Sequence, residues 1–167
     1  LIIKDDFLTL EELDQLESII NNPFFPWFYQ TVQTWDDDPF FCHVLYHADE
    51  PRSEFYNPIQ NIFKKYINWS SMYRLNVNLC PKISSTSNFH TDTNGKDNEE
   101  VMTTAIFYLN TNNGYTEFED GSTVDSVQNR LVTFPTKTLH RAVGQTDTDK
   151  RIVLNFNYIG EKICGLE

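Results

Sequence analysis

Basic residues are scarce. Lys and Arg number 13 against 24 Asp and Glu, a formal charge of −11 over 167 residues. A general nucleic-acid binder needs a basic face to displace phosphate counterions, so that class is disfavoured, and anionic membrane surfaces with it. No apolar run approaches the ~20 residues needed to cross a bilayer. Cysteine is sparse too: Cys42, Cys80 and Cys164 are widely spaced and form no CxxC. They read as reduced thiols of a cytoplasmic compartment, with one disulfide plus a spare thiol as the alternative. No secretory signal, internal repeat, low-complexity tract or Gly/Ser/Pro linker is visible. The expectation is therefore one domain over 1–167, with residues upstream of Leu1 left open. What is present is a core-forming composition, 40% hydrophobic and 14% aromatic, which excludes wholesale disorder.

Helix signals sit in the first 70 residues. Thr9 and Glu12 form a capping box ahead of Leu13, Leu16, Ile19 and Ile20, and Asn21-Asn22-Pro23 stops that helix. Asn57-Pro58 predicts a second helix with Asn at the N-cap, carrying Ile59, Ile62, Phe63, Tyr66 and Ile67. Between them, Phe24–Tyr29 reads as core or strand and Asp36–Asp38 as a solvated loop. From residue 72 the period becomes two: Leu75, Val77 and Leu79 alternate with Arg74, Asn76 and Asn78. Further strands are expected over 102–109, 122–127, 130–134 and 151–158, separated by turn residues at Asn112-Asn113-Gly114, Asp120-Gly121, Pro135 and Gly144. Helices followed by many short strands predict a mainly β (α+β) fold. It is a sandwich or barrel over 71–160, with helical support from 1–70.

The last strand divides cleanly. Ile152, Leu154, Phe156 and Tyr158 share one face; Arg151, Val153, Asn155 and Asn157 share the other. The polar face either meets solvent or lines a ligand-bearing interior. Of only four histidines, His90 sits in an H-x-D triplet with Asp92, and His140 follows 48 residues after Asp92. Two imidazoles and one carboxylate on one face of an octahedral metal leave positions open, the arrangement that holds non-haem Fe(II) for oxygen chemistry. The triplet alone has low specificity. Arg151, eleven residues after His140, adds to it: a buried guanidinium needs an anion, and its fork suits a carboxylate. The alternative for Arg151 is a rim ion pair with Asp147 or Asp149. His43 and His47, in H-x-x-x-H with no Glu between, read as exposed or hydrogen-bonded rather than metal-binding.

In this order the motifs resemble the 2-oxoglutarate- and Fe(II)-dependent oxygenases, in particular the prolyl 4-hydroxylase-like branch. The matching residues are Asp5–Thr9, His90-Thr91-Asp92, Phe107–Asn110, Gly114–Phe118, Phe134-Pro135, His140–Val143 and Lys150-Arg151, densest from 74 to 158. The resemblance implies a double-stranded β-helix (jelly roll, cupin-like) with N-terminal helices packed on the major sheet. It implies Fe(II) held by His90, Asp92 and His140, with Arg151 gripping the distal carboxylate of 2-oxoglutarate. Tyr108 would add a hydroxyl to that carboxylate or, alternatively, serve as a core aromatic; Thr104 and Asn155 would line the same pocket. Gly114 and Thr116 would be structural. Two family aromatics are replaced, by Ser87 and Cys80, and Asn76 or Asn78 are candidates to take over their contacts. The implied cofactors are Fe(II), 2-oxoglutarate and O2, with ascorbate as an accessory.

The implied reaction hydroxylates an unactivated C–H, with succinate and CO2 as co-products. The implied partner is a proline-containing peptide or protein. A small molecule or free amino acid is the second substrate reading, and a non-catalytic jelly-roll binding module for carbohydrate or peptide is the competing class. The polar loop 93–100 reads equally as a substrate lid or a solvated loop.

Overall fold

The computed structural model describes residues 1–30, 40–82, 86–93 and 101–160. Eleven strands and two helices follow in chain order: β1 (Ile2–Lys4), α1 (Leu10–Ile20), β2 (Phe28–Gln30), β3 (Phe40–His47), β4 (Glu50–Pro51), α2 (Tyr56–Phe63), β5 (Trp69–Pro81), β6 (Thr103–Tyr108), β7 (Tyr115–Phe118), β8 (Thr123–Asp125), β9 (Arg130–Pro135), β10 (His140–Val143) and β11 (Lys150–Gly160). The major sheet runs β1-β9-β6-β11-β5-β3-β2 with β4 on β3, and the minor sheet runs β10-β7-β8. All pairings are antiparallel. The jelly-roll reading holds.

Side-chain alternation on the central strands sorts residues into two layers. Leu75 and Val77 of β5, Ala105 and Phe107 of β6, Leu131 of β9 and Ile152, Leu154 and Phe156 of β11 face α1 and α2. They form one buried core there with Leu13, Leu16, Ile20, Ile59, Ile62 and Phe63. Phe63 is its hub, its ring near those of Phe7, Phe107 and Phe156. On the opposite face, Ile106, Tyr108, Val132, Phe134 and Val153 meet Phe118 and Val124 of the minor sheet in a second, smaller cluster. The polar face of β11 therefore lies inside the roll, between the sheets, with Arg151 and Asn157 buried and Asn155 half-buried.

Helix α1 begins as expected. Thr9 Oγ1 accepts from the Glu12 amide at 3.3 Å, and Glu12 Oε2 accepts from the Thr9 amide at 3.1 Å. Lys65 Nζ at 2.7 Å and the Tyr66 hydroxyl at 2.5 Å also donate to the Glu12 carboxylate, tying α1 to the turn after α2. Burial works to raise the Glu12 carboxyl, but the bonds from Lys65, Tyr66 and Thr9 outweigh it and hold the group at about 2. A carboxyl lowered by folding contributes stability above its unfolded value of about 4.3, and that contribution drains away as pH falls through the folded value. We expect Glu12→Gln to flatten the loss of stability between about pH 5 and pH 2, read from urea midpoints. An equally steep acid limb in the variant would assign that loss to other groups.

Two expectations are corrected. Helix α2 starts at Tyr56, with Phe55 at the N-cap and no side-chain cap, so Asn57-Pro58 lies inside the first turn. Proline is tolerated there because the first N–H groups of a helix have no intrahelical acceptor. The first 70 residues are not helical support alone, since β1 to β4 all lie within them. Of Phe24–Tyr29, Phe25 is buried in the core and Phe28 and Tyr29 lie on β2, as expected of core or strand residues, while Phe24 is exposed. Asp36–Asp38, Cys164 and all of loop 93–100 but Thr93 lie outside the described residues. No helix among the described residues is long and apolar enough to cross a membrane.

Candidate active site

His90 and His140 are fixed to each other by their own backbones. His90 N donates to His140 O at 3.0 Å, and His140 N donates to His90 O at 3.1 Å. The segment before His90 thus runs antiparallel to β10, helped by an isolated bridge from Thr86 to Val143. The imidazoles are turned the same way. Nδ1 of His90 lies 2.9 Å from Asn88 O, and Nδ1 of His140 lies 2.9 Å from Thr138 O. A carbonyl oxygen can only accept, so each Nδ1 carries the proton and each Nε2 keeps a lone pair for a metal. Phe134 packs edge-on against the His140 ring at 4.8 Å. Burial holds the His140 imidazolium form down, which favours the neutral ligand.

Asp92 completes the set: ligand atoms of His90, Asp92 and His140 all lie within 4.8 Å of one another. Its carboxylate is encircled by donors. Oδ1 receives Asn155 Nδ2 at 3.2 Å and faces an Arg74 terminal nitrogen at 3.1 Å; Oδ2 receives Thr104 Oγ1 and Asn157 Nδ2, each at 2.9 Å. Burial alone would raise this carboxyl, but the Arg74 guanidinium, the imidazoles and the Asn157 amide keep it far below the ordinary range. The donor set fits a divalent metal: two neutral nitrogens and one ionised oxygen, converging from one side.

Arg151 is the second residue of β11 and is only 3% exposed. Nε donates to Ser126 Oγ at 2.8 Å, NH2 reaches Thr116 Oγ1 at 3.4 Å, and the guanidinium lies 5.5 Å over the Tyr108 ring. The Tyr108 hydroxyl is 2.7 Å from the same Thr116 oxygen. The rim ion pair is overturned: Asp147 instead accepts from the Asn113 amide at 3.0 Å, and no described carboxylate pairs with Arg151.

One cavity of about 330 Å³ between the sheets joins these groups, lined by His90, Asp92, His140, Arg151 and Asn155 among others. Thr104 is fully buried and serves Asp92 rather than lining the cavity, and Tyr108 reaches Arg151 from behind. Ser87, Cys80, Asn76 and Asn78 all border the cavity. Arg74, Asn157 and Ser126 were not legible as site residues. Alternation put Arg74 and Asn157 on inward faces, but nothing local marked them as partners of Asp92.

His43 lies on a strand, buried beside Phe25 and Phe55, in a separate and more open groove of about 620 Å³ that also borders His47. Neither joins a metal-ligating group among the described residues.

Gly114 leaves room for Arg151. A Cβ there would stand 2.9 Å from Val143 O, 2.9 Å from Asn112 Oδ1 and 3.2 Å from Arg151 Cδ. We expect Gly114→Ala to cost roughly 1–3 kcal/mol, since a backbone carbonyl cannot turn aside as a side chain can. At this chain length that is a melting shift of roughly 2–4 °C per kcal/mol, and calorimetry showing no shift would refute the clash.

The sequence matches no protein-family model and no curated protein. The fold is the jelly roll of the 2-oxoglutarate/Fe(II) oxygenases. A 2OG-Fe(II) oxygenase family oxidoreductase from Burkholderia pseudomallei shares it at 10% identity, over 94% of this chain and 84% of that one, with a TM-score of 0.69. A prolyl-4-hydroxylase from Pseudomonas putida does so at 13% identity, over 96% and 92%, with a TM-score of 0.62. A Trichoplax adhaerens prolyl hydroxylase, in complex with a hypoxia inducible factor peptide fragment, is 12% identical over 95% and 83%, with a TM-score of 0.63.

Proposed function

We propose that the chain, read as one domain, is a 2-oxoglutarate- and Fe(II)-dependent oxygenase that hydroxylates an unactivated C–H. The observation that carries this reading is the convergence of His90, Asp92 and His140 in one cavity with the buried, carboxylate-free Arg151. Those three side chains would hold iron, which with 2-oxoglutarate and O2 supplies the oxidising power. Arg151, supported by Tyr108 and Thr116, would bind the distal carboxylate. Cavity walls such as Val153 and Ile106 would exclude water from the reacting centre. A peptidyl proline as substrate is supported by the likeness to two prolyl hydroxylases, one bound to a peptide. A small molecule or free amino acid is supported by the cationic and amide-rich cavity wall. Cytoplasmic localisation and reduced thiols are supported by Cys42 and Cys80, which are buried and unbonded.

The test is a titration of the iron-loaded protein with 2-oxoglutarate, followed by succinate detection with ascorbate present. Saturable binding and succinate release are expected, with a mass gain of one oxygen atom on a proline-rich peptide. Succinate without product on peptides would turn the substrate reading to small molecules. No affinity for 2-oxoglutarate would leave a non-catalytic jelly-roll binding module.

A further inference from the structure

The donors around Asp92 are not alike. Thr104, Asn155 and Asn157 are neutral, and Arg74 alone is a cation, its terminal nitrogen 3.1 Å from Oδ1. Oδ1 is also the Asp92 oxygen that lies 3.9 Å from Nε2 of His140, the lone-pair nitrogen of that ring. The guanidinium therefore grips the carboxylate oxygen that is turned toward a second metal-ligating atom. Each carboxylate oxygen offers about two lone pairs, and on Oδ1 Arg74 and Asn155 draw on both. A metal ligated there shares its only anionic ligand with a fixed positive charge.

That charge is held in place. Nε of Arg74 donates to Asn157 Oδ1 at 2.9 Å, and the side chain is only 23% exposed, so solvent screens it weakly. The surroundings do not cancel it. Asp92 is the only carboxylate among the described lining residues, and Arg141 already faces Glu117 at 2.8 Å. Arg74 and Arg151 set against Asp92 leave the cavity wall positive, although the chain carries a net charge of −11. Such a wall opposes an entering cation and favours an anion. Hydrogen bonding alone does not require this arrangement, because the three neutral donors reach both oxygens of Asp92 without Arg74.

We infer that Arg74 is a positioning residue acting through Asp92: it fixes Oδ1 in place and, by its charge, sets the affinity for divalent ions well below what the three ligands alone would give. The inference rests on the oxygenase reading and concerns how that site retains its metal.

The experiment is calorimetric titration of Mn(II), a redox-stable divalent probe, into the metal-stripped whole chain, with and without 2-oxoglutarate. Wild type, R74Q, R74M and R74K are compared, and the melting temperature of each is measured first. R74Q and R74M remove the charge and should bind Mn(II) roughly tenfold or more tightly than wild type, even where they melt lower. R74K keeps the charge and should stay nearer wild type. A side chain that only props Asp92 would give the opposite sign, since its loss frees the carboxylate to turn away and weakens the ion. Equal or weaker Mn(II) binding in the neutral variants would therefore overturn the inference, as would R74K binding as tightly as they do. Loss of folding in both neutral variants would also overturn it, by assigning Arg74 to structure alone; one that folds is enough for the comparison. Wild-type protein that binds no Mn(II) even with 2-oxoglutarate present would instead remove the oxygenase reading underneath.

Discussion

Replacing His140 by Ala should abolish Fe(II) binding and, with it, succinate formation. The variant deletes one of two nitrogens whose lone pairs are aimed by hydrogen bonds on the opposite side of the ring. A facial site with three protein ligands has none to spare. Asp92→Ala should do the same, for a different reason. It removes the one anion that offsets the metal's charge, and it strips partners from Arg74, Thr104, Asn155 and Asn157 together. Asn155 Nδ2 loses its partner, at a cost on the order of 1–3 kcal/mol, while Thr104, Asn157 and Arg74 each keep one other bond, so Asp92→Ala should also lower the melting temperature. Asp92→Asn separates the two effects by keeping much of the shape while removing the charge. Iron content and calorimetry on all three variants check this, and full iron occupancy with undiminished turnover in either alanine variant would remove that residue from the ligand set.

Arg151→Ala should leave iron binding in place and raise the 2-oxoglutarate requirement by roughly ten- to a hundred-fold, the scale of a charge-assisted hydrogen bond of about 1.5–3 kcal/mol. Arg151→Lys should recover only part of the loss. An ammonium keeps the charge but cannot keep the fork that reaches Ser126 and Thr116 while facing a planar carboxylate. Titration of 2-oxoglutarate into each iron-loaded variant is the measurement. An unchanged affinity in Arg151→Ala would mean that the carboxylate is held elsewhere.

Much of the framework could be read from residue order, because its signals are local. The T-x-x-E box of α1 is complete within four residues, and β11 shows its two faces by strict alternation. Strand β3 was obscured by its own irregularity. The register slips between Val44 and Tyr46, so His43, Leu45 and His47 do not keep a clean period of two. Residues around α2 misled for a related reason, since Ser53 organises the turn before it through Phe55 N to Ser53 Oγ at 3.1 Å. At the site, the H-x-D triplet was visible but the shell around Asp92 was not. Arg74 and Asn157 come from strands 83 residues apart and meet only through sheet pairing. Fold-level pairing is information that spacing along the chain does not contain.

The reciprocal backbone bonds between His90 and His140 bear on more than ligand placement. They join two distant stretches of polypeptide, so the spacing of the two imidazoles is set by backbone pairing and not by what they grip. Such a pair pays little reorganisation entropy on capture. Iron loss would then take away chemistry while leaving shape intact, and reloading would need no refolding step.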